Sequence, residues 1–201
     1  MKKIILRLMM IIILIALIFG GFYAYQGYQI YNEVIDEASI IKRVDELQSK
    51  DDYVKLEDIS SIYVDLVIES EDQRFYSHHG VDYIGLARAM LTNLFTWSFK
   101  EGGSTITQQL AKNLCLSFNK SLDRKFAEMY IAWDLENNYS KDEILEMYLN
   151  ITYLGEGNYG IKAASNYYYH IEPSELNMEQ SKVLVKTLKS PSVYNPAIID
   201  E

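Results

Sequence analysis

Glu71 and Asp72 open the segment Glu71-Asp72-Gln73-Arg74-Phe75-Tyr76-Ser77-His78-His79-Gly80, which crowds two carboxylates among aromatic rings and imidazoles. Partial burial in such a cluster can suit a carboxylate to general-base work. A solvated pair of acids at a helix end accounts for the same residues, and both readings stay open. A second segment runs Gly102-Gly103-Ser104-Thr105-Ile106-Thr107-Gln108-Gln109-Leu110-Ala111-Lys112-Asn113. Glycines leading into a helix expose backbone N–H groups at the positive end of its dipole, where anions bind. Gln108, Gln109 and Lys112 then fall on neighbouring faces of that helix. This is not a Walker loop, because no Gly-Lys-Ser/Thr follows at the required spacing. A glycine turn that merely caps a helix reads the same way.

Arg124-Lys125-Phe126-Ala127-Glu128 sets an acid one turn from Arg124 and three residues from Lys125. The surrounding helix, marked by Leu122, Phe126, Met129, Tyr130, Ile131, Trp133 and Leu135, is apolar nearly all round and should be buried. An ionised carboxylate there must be paired or tied to a function, since desolvating it alone costs several kcal/mol. A structural ion pair and a catalytic role explain it equally well. Gly155-Glu156-Gly157-Asn158-Tyr159-Gly160 matches a dinucleotide fingerprint letter for letter, but no strand precedes it and no alternating strand and helix plan surrounds it. It reads as a turn between two helices.

The elements that must position these residues are helical. Leu8 to Tyr25 carries no charge, about the length of a bilayer-crossing helix, and Lys2, Lys3 and Arg7 precede it. The positive-inside bias puts the N-terminus in the cytoplasm, and the bulky Phe22-Tyr23-Ala24-Tyr25 favours an uncleaved anchor over a signal peptide. Ile30, Val34, Ile41, Val44 and Leu47 then recur at helical spacing as an amphipathic stalk, broken at Lys50-Asp51-Asp52. The expected division is 1–27 as cytoplasmic tip and anchor, 28–52 as stalk and 53–201 as the folded domain. Thr105 with Gln108, Ser140 with Glu143 and Asn177 with Gln180 are helix-opening caps. Phe95-Thr96-Trp97-Ser98-Phe99 is unusually apolar for a loop; it is either core or a lip that enters the membrane. Strand signals are thin, so the fold class is mainly α.

The 201 residues carry a formal net charge of −9, which argues against a nucleic-acid binder. Lys112, Lys120, Arg124 and Lys125 nonetheless form a local basic concentration. Cys115 is the single cysteine, so no internal disulfide forms, and the three histidines do not make a metal set.

Taken in series, these segments resemble the peptidoglycan glycosyltransferases, which occur as monofunctional enzymes and as the first domain of class A penicillin-binding proteins. Glu71-Asp72-x-x-Phe75-x-x-His78-x-Gly80 is similar to the first family motif, and Gly103-x-Thr105-x-x-Gln108-Gln109-x-x-Lys112-Asn113 to the second. Arg124-Lys125-x-x-Glu128 resembles the third, and Lys141-x-x-Ile144-Leu145-x-x-Tyr148-Leu149-Asn150 the fourth. The resemblance covers roughly Tyr53 to Pro196. It implies a lysozyme-like α domain with a small membrane-associated jaw, behind a single N-terminal transmembrane helix in a bacterial cell membrane.

It also implies a reaction. Lipid II would be polymerised onto a polyprenyl-pyrophosphate-linked glycan with inversion at the donor anomeric carbon. Glu71 would take the proton from the acceptor hydroxyl, and Glu128 would be the second catalytic carboxylate, orienting cations or a divalent ion, Mg or Mn, bound with the substrate pyrophosphate. Asp72, Phe75, His78, Ser104, Thr105, Gln108, Gln109, Lys112, Asn113, Lys120, Arg124, Lys125 and Asn150 would bind substrate. A pyrophosphate leaving group needs charge neutralisation more than a proton, which gives the basic concentration a purpose. Transpeptidases and cell-wall assembly proteins are the implied partners. The family usually continues past Asn195-Pro196 into a further basic helix, and Leu184 to Lys189 is more polar than is usual there. A non-catalytic scaffold that binds lipid-linked precursors, and a lytic hydrolase, are the competing expectations.

Overall fold

A computed structural model describes residues 2–96, 102–116 and 121–199. The described residues are helical throughout, with single bridges between His79 and Val81 and between Tyr153 and Tyr159 in place of strands. Trp97 and Phe99 of the apolar lip, and Lys120, lie outside the described residues.

Helix α7 (Lys141–Ile151) is the axis of the body. Ser140 and Glu143 close the capping box expected at its start, and seven consecutive residues from Ile144 to Asn150 are buried. A helix apolar on one side only could not bury every face, so α7 must be ringed by partners. Around it stand α2 (Ile40–Gln48), α5 (Ile106–Cys115), α6 (Leu122–Asn138) and α8 (Ile161–Tyr169). Helix α3 (Ser61–Glu71) leans on α9 (Met178–Lys189), whose Asn177/Gln180 cap is also formed. Tyr63, Val67, Phe75, Leu110, Ile131, Leu135, Ile144, Met147 and Leu184 belong to one continuous core. Each such large side chain contributes about 1.5–3 kcal/mol by leaving water.

Helix α1 (Lys2–Glu37) runs unbroken for 36 residues, about 54 Å at the usual rise. Its N-terminal part is long and apolar enough to cross a membrane and touches nothing in the body, so the chain reads as single-pass. Its C-terminal part lies along α6. At Gly27 a Cβ would stand 2.5 Å from Phe126 Cβ and 2.8 Å from the Ala127 nitrogen, so the helices cross with no room for a side chain. Tyr28 and Tyr31 pack on Tyr130, and Tyr31 donates a 3.0 Å hydrogen bond to Asp134 Oδ2.

This packing moves the boundary expected at Tyr53. Val34, Ile40, Val44 and Leu47 join the same core as α5 and α7, so residues 28–52 form part of the body and not a free stalk. Helical periodicity reveals that a face is buried but cannot say against what. The apolar lip is likewise partly helix: α4 (Tyr83–Thr96) carries Met90, Leu91, Leu94 and Phe95 exposed to solvent. On the other side α4 buries only Gly85 and Ala89.

Candidate active site

A cleft of about 770 Å³ opens between the C-terminal end of α3, the N-terminal half of α4, the start of α5 and the end of α9. Its wall includes Glu71, Asp72, Arg74, Asp82, Arg88, Gly103, Ser104, Thr105, Gln109, Lys112 and Lys189.

Glu71 ends α3, so its carboxylate projects from the last turn into the cleft. Gln109 Nε2 donates to its Oε2 at 3.0 Å, and among the described residues Oε1 receives only a long contact from the Ser70 hydroxyl at 3.4 Å. Asp72, one residue on, turns the other way. Its Oδ2 accepts the Ile106 N–H at 3.0 Å, and His78 Nε2 lies 2.9 Å away. Facing a carboxylate, that imidazole nitrogen must carry the proton. Asp72 thus binds the loop after Glu71 to the first turn of α5, the helix that carries Gln109 and Lys112. The helix dipole favours an acid there.

The glycine turn enters α5 as its sequence implies. The Thr105 hydroxyl accepts the Gln108 N–H at 3.1 Å while donating to the Gly80 carbonyl at 2.6 Å. Gln108 Oε1 completes the capping box on the Thr105 N–H. A Cβ at Gly103 would stand 2.9 Å from Leu86 Cδ1 and 3.3 Å from Leu86 Cα, so the turn before α5 runs close against α4.

Glu128 is held by opposite means. It is buried on α6, with Arg124 Nη1 3.0 Å from Oε1 and the Lys125 ammonium hydrogen-bonded to Oε2. The Arg124 contact is an ion pair without hydrogen-bond alignment, since Oε1 and Arg124 Nε are both buried with no hydrogen-bond partner among the described residues. Lys125 also donates to Ser104 Oγ at 2.7 Å, which ties this cluster to the cleft wall. Lys112 lies between the two acids. Burial holds its ammonium below the ordinary lysine range, attraction to Glu128 opposes that, and repulsion from Arg124 and Lys125 adds to it. Glu71 acts on it as a weaker attraction.

The structure brings Glu71, Ser104, Gln109 and Lys112 to one surface, with Arg124, Lys125 and Glu128 behind Ser104. Other predicted site residues are placed away from the cleft or have their polar atoms engaged within the fold. Phe75 is fully buried under the Lys141 ammonium, which sits 4.4 Å from its ring centre. His78 is spent on Asp72, and Gln108 on the cap. Asn150 lies elsewhere in the core, accepting the Val54 N–H and donating to the Val54 and Glu146 carbonyls, all at 2.8 Å. Asp72 and Thr105 touch the cleft, but their polar atoms are used internally. Asn113 is half-buried and does not line the cleft. The polar groups of Asp72, Thr105, Gln108 and Asn150 are already satisfied by the fold, whereas His78 has only its Nε2 partnered and its buried Nδ1 has no hydrogen-bond partner among the described residues.

Sequence reasoning missed Arg74, Asp82, Arg88 and Lys189. Asp82 opens α4, accepting the Ile84 N–H at 3.1 Å and Arg74 Nε at 3.0 Å. Burial alone would raise its pKa, but the Gly85 N–H and the Arg74 guanidinium outweigh it and hold the carboxyl below the usual range. An Asp ahead of an apolar helical run is a cap signal, and Gly85 marks it too: a Cβ there would meet Asp82 Oδ2 at 2.5 Å. Lys189 carried no local signal, because only the fold returns the end of α9 to Glu71.

A divalent ion held by the protein at Glu128 does not fit these side chains. Both carboxylate oxygens already face cations, and the described residues hold no group of three acids, histidines or cysteines placed for a metal.

Helices ringing a buried axial helix, with a polar cleft at one end, define an all-helical, lysozyme-like domain. The transglycosylase family model matches residues 37–201. Penicillin-binding protein 1F of Bacillus subtilis is 46% identical over 145 residues, 72% of this chain and 20% of that protein. Penicillin-binding protein 1A of Neisseria flavescens is 41% identical over 154 residues, 77% of this chain and 19% of that protein. The chain therefore belongs to the transglycosylase family, the peptidoglycan glycosyltransferases. It spans about a fifth of the length of these curated relatives.

Proposed function

We propose that this protein is a membrane-anchored glycosyltransferase that polymerises lipid II into glycan strands and releases polyprenyl pyrophosphate. The observation that carries the reading is the shared cleft: Glu71 has one carboxylate oxygen open to it, and Lys112 stands on the same wall beside a locked cluster of cations. In the proposed step the acceptor's sugar hydroxyl oxygen attacks the donor anomeric carbon from the face opposite the pyrophosphate. The hydroxyl proton passes to Glu71 Oε1, the anomeric carbon–oxygen bond breaks, and the electron pair leaves on the diphosphate. Lys112 and Lys125 would hold that charge without donating a proton. A glycosidase would instead need a protonated acid on the leaving group. A metal, if the reaction uses one, would arrive with the diphosphate, because Glu128 is already committed to Arg124 and Lys125.

The anchor supports a substrate that is itself lipid-linked. With Lys2, Lys3 and Arg7 in the cytoplasm, the cleft would work at the outer face of the membrane, and the exposed apolar side of α4 would enter the lipid as a jaw. Transpeptidases and assembly proteins would crosslink and direct the product.

The test is polymerisation of lipid II by the purified full chain in detergent, with Glu71→Gln as control. Glycan strands from the wild type and a loss of about a thousandfold in the variant are expected. Binding of lipid II without turnover would identify a scaffold, and release of fragments from purified cell wall a hydrolase.

A further inference from the structure

Glu71 has its orientation set by a side chain that never reaches the cleft. Tyr148 sits on the axial helix α7 and is fully buried. Its hydroxyl donates to Gln109 Oε1 at 3.2 Å, and the other end of the same amide donates from Nε2 to Glu71 Oε2 at 3.0 Å. An amide can be turned over at almost no steric cost, so only its partners decide which end faces the cleft. A turned Gln109 would present its Nε2 donors to the Tyr148 hydroxyl, which would then lose the amide oxygen as its acceptor. It would also set Oε1 against a carboxylate oxygen at 3.0 Å, two acceptors with no proton between them.

We propose that Tyr148 and Gln109 form a positioning relay that keeps an N–H on Glu71 Oε2 and leaves Oε1, met by the Ser70 hydroxyl at a long 3.4 Å, as the oxygen that takes a proton. The inference rests on Glu71 being the base and moves Gln109 from substrate contact to orientation of that base. The arrangement suits the task. A neutral donor fixes the carboxylate's plane without neutralising it, whereas a lysine or arginine in its place would leave a spent acid. Tyr148 anchors the amide from a fully buried position on α7, the helix on which α5 packs. Asp72 holds the backbone of the same two elements through Ile106, so the Glu71 to Gln109 distance is defined from both sides.

Tyr148→Phe keeps the ring and removes only the hydroxyl. In the full chain with lipid II, it should lower kcat about tenfold with KM unchanged within about twofold, the size of one lost hydrogen bond. Gln109→Ala should lower kcat at least as far, and adding Tyr148→Phe to it should cost nothing more, because the relay is already broken. Additive losses, or a Tyr148→Phe enzyme with wild-type kcat, would overturn the relay while leaving the polymerase reading intact. A second measurement does not depend on turnover. The Gln109 side-chain amide signals, assigned by their disappearance in Gln109→Ala, should shift in nitrogen-15 NMR spectra of both Tyr148→Phe and Glu71→Ala. If they stay in place in both, the relay is wrong; if the wild type makes no polymer, the function is wrong and the spectra still decide the relay.

Discussion

Glu71 and Glu128 flank the same lysine, but the protein treats them differently. Glu71 meets a neutral amide and keeps an oxygen open to the cleft. Glu128 is 2% exposed at its side chain and faces Arg124 and Lys125. The first arrangement leaves a carboxylate able to accept a proton; the second uses one up to organise cations that would otherwise repel each other. Burial without a counterion would have cost several kcal/mol for Glu128, and a counterion would have disarmed Glu71. In the proposed reaction the two ends of the site would divide base chemistry from charge neutralisation.

Substitution should separate them. Glu71→Gln removes the base but little of the fold, so the thousandfold loss of polymerisation should come with a thermal midpoint within about a degree of the wild type. A large fall in midpoint would mean that Glu71 is structural after all. Glu128→Gln should do both kinds of damage. It strands Arg124 in a buried position, and with a discount for the half-exposed Lys125 the expected cost is about 3 kcal/mol, or about 6–12 °C in midpoint. Calorimetry showing an unchanged midpoint would erase the distinction drawn here.

Gly27→Val sharpens the comparison from outside the cleft, because α1 touches the Glu128 helix and not α3. Its Cβ would drive α1 off Phe126 and Ala127, costing about 1–3 kcal/mol. Activity should fall through the cation end, and crosslinking between introduced cysteines on α1 and α6 should weaken. Persistent crosslinking with full activity would show that α1 is only a tether.

The smallest effect on stability belongs to Lys112→Met. The lysine's pKa is lowered in the folded state, so between that value and the ordinary 10.5 the unfolded chain binds more protons and wild-type stability rises with pH. Below that window the charged lysine costs stability. The variant should therefore melt about 1–2 °C higher at neutral pH while losing polymerase activity, and its advantage should vanish above pH 10.5. A variant less stable than wild type at pH 7 would mean that Lys112 is a structural ion pair.

Much of this was written locally. The apolar run before Tyr25, the three capping boxes, the glycine turn into α5 and the spacing of Arg124, Lys125 and Glu128 are patterns within a few residues. Short-range sterics and hydrogen bonding suffice to turn them into structure. The sequence could also say that a lone carboxylate in the α6 helix needs partners, because that follows from desolvation alone.

It could not say where partners come from when they are distant. Asp72 and Glu71 are neighbours of one type, yet one caps α5 and the other faces the cleft, a choice made by the backbone turning out of helix at Asp72. Arg88 and Lys189 reached the site only when the fold brought α4 and the end of α9 to the cleft at the end of α3. Val34, Ile40, Val44 and Leu47 became core because α1 packed on α6 and α2 on α5 and α7. Nothing near Tyr148 in the chain hints at Gln109, 39 residues away. Local pattern determined the helices, their caps and the kinds of chemistry on offer. Which carboxylate stays free, and what holds it, was decided by tertiary packing, because a buried polar group takes whatever partner the fold brings within 3 Å or so.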